Sequence, residues 1–225
     1  MGKKSSSKAT IPNELLLRMA NEFENPLAKF DDDYDSIEQC LSTTICDLRI
    51  ETRYFMWTKL SPELQQWMID LTEENMKDLY DSCSWKWQRK SKLGELKHST
   101  AKHLIIFHKP TVDSSSSSPP SKPIAFVHFR FEQGYVSDAV LYCYELQVEQ
   151  SYQHKGFGRY LMNLLELMAK KFRMQKVIVT VLKNNNQATQ FYSNGLQFKI
   201  DKNSPSYFQQ EADYEILSKR VSSLI

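Results

Sequence analysis

The chain has 225 residues, enough for one domain with a sizeable core. Apolar residues make up 41% and aromatics 12%, which are globular values, and a net charge of +2 gives no electrostatic footprint for nucleic acid. Four cysteines without CxxC spacing and five histidines without an HExxH pattern argue against a metal site or a disulfide framework, and fit reduced thiols in the cytoplasm or nucleus. The polar start lacks the apolar stretch of a signal peptide, and no apolar run is long enough to span a membrane.

Residues 1–10, MGKKSSSKAT, read as a flexible basic tail. Gly2 followed by Ser6 fits the myristoylation pattern, with Lys3, Lys4 and Lys8 as electrostatic support, so a membrane contact is expected only if Gly2 is acylated. Residues 11–60 are expected to supply an N-terminal helix and a first strand packed on the core. In NELLLRMANEF, Leu15, Leu16, Met19 and Phe23 fall on one helical face. Asp31, Asp32 and Asp33 read as a solvated loop, and SIEQCLSTTICDL leans towards β-structure.

Ser61 and Pro62 mark a helix start in SPELQQWMIDL, and a separate helix is expected from Thr72 through TEENMKDLYDSC. Then HLIIFHK, PIAFVHFRFE and AVLYCYELQVE read as strands, and the Ser/Pro run at 111–122 as a flexible loop. Tyr160, Leu161, Leu164, Leu165, Met168 and Phe172 form a helical stripe. KVIVTVLK is a buried strand, QATQFYSNG a short helix, and GLQFKI and YEILSKR closing strands. The order implies an α/β domain with a mixed, mostly antiparallel sheet over 61–225.

QHKGFGRYL sits between a strand and the long amphipathic helix. Glycines let backbone N–H groups approach a ligand, and a helix N-terminus favours an anion such as a pyrophosphate. A P-loop requires Lys-Ser/Thr where Arg159 and Tyr160 stand, and a Rossmann fingerprint requires a small residue where Leu161 stands. Gln153, Gly156 and Gly158 match the Gln/Arg-x-x-Gly-x-Gly/Ala loop of the acetyl-CoA-dependent GNAT superfamily, which the chain resembles.

That resemblance implies a GNAT-type fold with two splayed central parallel strands. Acetyl-CoA would lie in the gap, against the backbone of Leu146, Gln147 and Val148 and the loop Gln153, His154, Lys155, Gly156, Phe157, Gly158 and Arg159. Asn185 and Ala188, ahead of Phe191 and Tyr192, resemble the superfamily's second cofactor element, while Leu196-Gln197-Phe198 departs from its Gly-Phe ending.

LYDSCSWKW, FRFEQGYVSDAVLYCYELQ and DYEIL resemble more narrowly the histone-specific N-terminal acetyltransferase D family, over about 71–220. This implies acetylation of the free Ser-Gly-Arg-Gly terminus of histones 4 and 2A, with histone tails as protein substrate. It also implies a monomer, a cytoplasmic and nuclear location, possible ribosome association and no direct nucleic-acid contact.

The attacking amine must be neutral, so a base must take its proton. Glu145 is the main candidate, acting through water, against the plainer reading of a structural ion pair. Tyr144 is a candidate to position the amine or protonate the thiolate, and Tyr192 is a second candidate acid or a core residue. Alternation puts Tyr142 and Tyr144 on one face and Glu145 on the other, unless a bulge intervenes. An arginine in the substrate needs a planar anion; the resemblance implies Glu132, and one extra residue in the loop makes Asp138 a rival. Tyr80, Trp85, Tyr142, Thr180 and Tyr214 complete the implied substrate pocket, and Asn203 lies in a loop that folds over the peptide in this reading. The alternatives are a lysine or small-amine GNAT enzyme, or a CoA-binding module without catalysis.

Overall fold

The computed structural model describes residues 11–27, 44–109, 121–135 and 137–221. The tail, the Asp31–Asp33 segment and most of the Ser/Pro run lie outside these residues.

In chain order the elements are α1 (Asn13–Glu22), β1 (Thr44–Ile45), β2 (Leu48–Met56), α2 (Pro62–Asp81), α3 (Arg89–Leu96) and β3 (Lys102–His108). They continue with β4 (Lys122–Gln133), β5 (Ala139–Val148), α4 (Phe157–Lys171), β6 (Lys176–Leu182), α5 (Asn186–Gln190), β7 (Lys199–Ile200) and β8 (Tyr214–Arg220). The strands form one sheet in the order β1-β2-β3-β4-β5-β6-β8-β7. Every pairing is antiparallel except that of β5 with β6. This is the mixed, mostly antiparallel sheet expected from the pattern.

Both faces of the sheet are covered, and β3 shows why its central run, residues 104–107, is apolar throughout. Leu104 and Ile106 join the core under α4, which contributes Leu161, Leu164, Leu165 and Met168. Ile105 and Phe107 point the other way, onto Met68, Ile69 and Leu71 of α2 and Leu96 of α3. The period-2 alternation of a strand thus divides one apolar run between two cores.

Three expectations change. Residues 62–81 form one continuous helix: the Ser61 side chain accepts from Leu64 N at its start, and no second helix begins at Thr72. Thr72 is buried, and its hydroxyl donates to Met68 O at 2.8 Å, four residues back, so a residue type that often caps helices is satisfied inside this one. Residues 36–43 of the β-leaning stretch lie outside the described residues; its described part forms the two residues of β1 and a turn at Cys46 and Asp47, both with positive φ, before β2 begins. GLQFKI yields only Lys199–Ile200.

Phe126 is fully buried and packs edge-on against Trp67, with ring centroids 5.7 Å apart. Phe126→Ala should lower the unfolding free energy by about 3–5 kcal/mol, measured by urea titration.

Candidate functional site

The site begins where two strands part. β5 and β6 pair in parallel from Val140↔Lys176 to Cys143↔Val179, and there the pairing ends. Across the other edge of β5 the ladder slips: His128 faces Glu145, but Phe129 faces Cys143, so Tyr144 is an extra residue. A bulge of this kind re-aims side chains that simple alternation would send to opposite faces. Beyond the parting lies a cavity of about 240 Å³ whose lining includes Tyr142, Cys143, Tyr144, Glu145, Leu146 and Gln147 of β5, Thr180 of β6, and Tyr80, Trp85, Asn185 and Tyr192.

Glu145 is 6% exposed, and both carboxylate oxygens have partners. Oε1 lies 2.6 Å from Lys92 Nζ, and Oε2 accepts from Gln147 Nε2 at 2.8 Å. Lys92 also reaches Glu95 Oε2 at 2.8 Å and donates to Tyr80 OH at 3.2 Å. Burial alone would lower the lysine pKa, but the charges of Glu145, Tyr80 and Glu95 outweigh it and hold the ammonium above its usual range. Lys92 and Glu95 were not singled out from the sequence. They lie in RKSKLGEL, a short, mostly polar helix whose pattern gives no sign that one lysine turns inward.

The Tyr144 hydroxyl donates to both oxygens of Glu132, at 3.0 and 3.1 Å. Its ring stacks on His128 with centroids 5.0 Å apart, and the Arg130 guanidinium carbon lies 4.1 Å from its centroid. Burial raises the Tyr144 pKa above the usual tyrosine range, and the Glu132 charge adds to this. Burial also raises that of Glu132, against the Tyr144 hydrogen bond and the Arg130 charge. Tyr142 is hydrogen-bonded to the Thr180 hydroxyl, and its pKa is pushed up to about 12, chiefly by burial. Tyr192 is buried between Phe191 and Phe198, with centroids at 5.0 and 5.7 Å, and burial holds its phenol well above the usual range.

A roof covers this wall. Rings run from Tyr80 to Trp85 at 6.0 Å and from Trp85 to Tyr214 at 5.0 Å. The turn after α2 is fastened to the far side of the parting. Ser84 N donates to Asp213 Oδ2 at 2.8 Å, and the Ser84 hydroxyl donates to the same oxygen. Asn184 Nδ2 donates to Leu79 O at 2.9 Å and Ser82 Oγ at 2.8 Å.

The glycine loop enters α4. Gly156 is its N-cap in the left-handed conformation, at φ +95°, and no side chain caps the helix. The first N–H groups of α4 therefore point out of the helix end, where an anion would be held. A Cβ at Gly158 would lie 3.3 Å from the Phe191 ring and 3.7 Å from Leu146, so the loop packs directly on the parting strand. Gln153 Nε2 donates to Val148 O, Lys155 Nζ to Ser151 O and Arg159 Nη1 to Gly195 O. His154 has positive φ and its ring meets Gln187 at 3.3 Å.

Not every expected residue joins the site. Asp138 lies 3.7 Å from Lys176 Nζ, whose nearer partner is Asp201 at 2.7 Å, beside the paired end of β5 and β6. Asn203 turns onto Asp201, donating from its side chain at 2.8 Å. Val148 O is engaged by Asn75 and Gln153 side chains rather than left open. Asn185 caps α5 by accepting from Ala188 N at 3.0 Å while still lining the cavity.

A family model described as "Acetyltransferase (GNAT) family" matches residues 45–198. Among solved structures, Arabidopsis thaliana NAA60 in complex with a bisubstrate analogue matches with a TM-score of 0.55 at 14% identity, covering 77% of this chain and 99% of that one. Tetrahymena GCN5 matches at 0.53 and 11% identity, covering 78% and 98%. The NatC complex bound to Gag peptide and CoA matches at 0.51 and 16%, covering 76% and 99%. At these identities the likeness is one of fold.

Beneath Tyr144, His103 is fully buried and stacked on His128 at 5.1 Å. Burial, helped by the Arg130 charge, pushes its pKa down to about 4. Neutral in the fold and titrating near 6.5 when unfolded, it contributes stability that is present above pH about 6.5 and lost as pH falls towards 4. Urea unfolding across that window should show a loss of up to roughly 3 kcal/mol that His103→Leu removes.

Proposed function

The chain belongs to the acetyltransferase (GNAT) family, and from that premise we propose that it acetylates the α-amine of protein chains beginning Ser-Gly-Arg-Gly, the termini of histones 4 and 2A. The observation that carries this reading is the roof. The Tyr80–Trp85–Tyr214 rings and the Ser84–Asp213 and Asn184–Leu79 tethers hold the turn after α2 beside a cavity walled by Tyr142 and Tyr144. A cavity of about 240 Å³ bordered by aromatic rings suits a chain end with little side-chain bulk, such as Ser-Gly.

Acetyl-CoA fits the residues present. The uncapped start of α4 and the left-handed Gly156 suit its pyrophosphate, and the gap beside Leu146 and Gln147 suits its pantetheine arm. When bound, it supplies the thioester carbonyl and the leaving thiolate. In this reading a first proton leaves the substrate ammonium before attack, and a second leaves the nitrogen once the new C–N bond has formed. As the C–S bond breaks, one proton ends on sulfur.

We assign Glu145 as proton acceptor through water. Lys92 and Gln147 occupy its oxygens, but each carboxylate oxygen has a second lone pair. Tyr144, which burial keeps protonated, is the donor to the departing sulfur, with Tyr192 as second candidate. Glu132, held beside Tyr144, is the planar anion for the substrate arginine. Action on histone tails in the cytoplasm and nucleus is part of the same proposal.

The test compares peptides. The kcat/KM for a peptide beginning Ser-Gly-Arg-Gly should exceed that for Ala-Gly-Ala by about 100-fold or more, because a site built on hydrogen bonds rejects a partner lacking them. Comparable values would contradict the reading. Glu132→Gln should raise KM for the arginine peptide by about tenfold and leave KM for its Ser-Gly-Ala-Gly counterpart unchanged. Gly156→Val, strained at a positive φ, should raise KM for acetyl-CoA by about tenfold with the peptide KM unmoved.

A further inference from the structure

Lys92 lines the cavity together with Glu145 and Tyr80. It is 7% exposed on α3, and its ammonium meets Glu145, Glu95 and Tyr80 at 2.6, 2.8 and 3.2 Å. Tyr80 in turn begins the ring series of the roof, and Lys92 Nζ lies 5.3 Å from its ring centroid. We propose that Lys92 is a positioning residue for acetyl transfer, holding the Glu145 carboxylate at the parting of the strands and tying it to the Tyr80 side of the substrate wall. The proposal rests on the reading of Glu145 as proton acceptor.

The physical argument is one of compensation. A buried carboxylate without a cation is strongly disfavoured in its charged form. The groups around Glu145 leave Lys92 as its ion-pair partner. Cys143 and Gln147 flank it on β5, His128 faces it from β4, and Glu95 joins Lys92 on α3. Tyr80 faces it from α2 and Tyr192 from the turn after α5, and burial keeps His128 neutral. Arg130, the other buried cation nearby, is turned to Glu95 O at 2.7 Å and to the Tyr144 ring. An eight-residue helix thus places one charge, Lys92, against the site, with Leu96 buried in the core and Leu93 packed beside it.

The experiment measures the pH dependence of kcat/KM for Lys92→Met and Lys92→Arg, with any free-amine peptide that the wild type acetylates. Removing the charge should lower kcat by about tenfold or more and move the acid limb of the profile up by about one pH unit or more, with KM for acetyl-CoA within about twofold. Lys92→Arg should keep the limb in place. A Lys92→Met enzyme with wild-type kcat and limb, or an arginine variant displaced as far as the methionine one, would overturn the proposal.

If Lys92→Met fails to fold, Tyr80→Phe tests the other link. It should raise the peptide KM about tenfold without moving the limb, and an unchanged KM contradicts the coupling. If the wild type acetylates no peptide, the function reading has failed, and Glu145 is instead followed by urea unfolding of Lys92→Met. An uncompensated Glu145 binds its proton more tightly in the fold, so stability should fall as pH rises from about 4.3, more steeply than in the wild type. Parallel curves would sink the Lys92 role.

Discussion

The parting of β5 from β6 after Cys143 and Val179 is the constraint on which the rest depends. Two parallel strands that stop pairing leave backbone groups without their ladder partners, and buried polar groups of that kind need other partners. The chain answers this with side chains: Asn75 and Gln153 take up the Val148 carbonyl, closing the far end of the gap. The bulge at Tyr144 occurs at the same level, so the place where the sheet opens is also the place where side-chain alternation breaks.

That coincidence explains the electrostatics of the site. Glu145 and Tyr144 are sequence neighbours with opposite surroundings. One is clamped by Lys92 in a buried ion pair, and the other lies over Arg130 with its hydroxyl on Glu132. Beside them, a series of packed rings runs from His103 through His128 to Tyr144 and Tyr142. Buried ion pairs add little net stability, because desolvation offsets attraction, but breaking one is expensive. The Lys92–Glu145 pair is thus better understood as fixing geometry than as adding stability.

Much of this was legible in the residues, for definable reasons. Strand and helix periodicities gave β3 to β6 and α4, because long apolar runs in two covered cores leave little ambiguity. Gln153, Gly156 and Gly158 pointed to a ligand loop through their match to a family pattern, and Gly156 adopts the left-handed conformation that suits glycine. Thr72 misled because a threonine that bonds back to Met68 O looks, in sequence, like one that caps a helix. Asp138 was a rival to Glu132 because the loop carries one residue more than the family it resembles, yet in the fold it lies 3.7 Å from Lys176 at the paired end of the strands. Lys92 was invisible because its partners are 12 and 53 positions away or lie in a short polar helix, and tertiary packing alone selects one lysine of RKSKLGEL to face inward.

The most direct test of the central claim is intact-mass spectrometry after incubating the protein and acetyl-CoA with two peptides together. One begins with free Ser-Gly-Arg-Gly, and the other has the same sequence with a blocked amino terminus and free lysines. The account predicts a single acetyl group on the first peptide and none on the second. Acetyl transfer to the blocked peptide would contradict it and make the roofed cavity a lysine site.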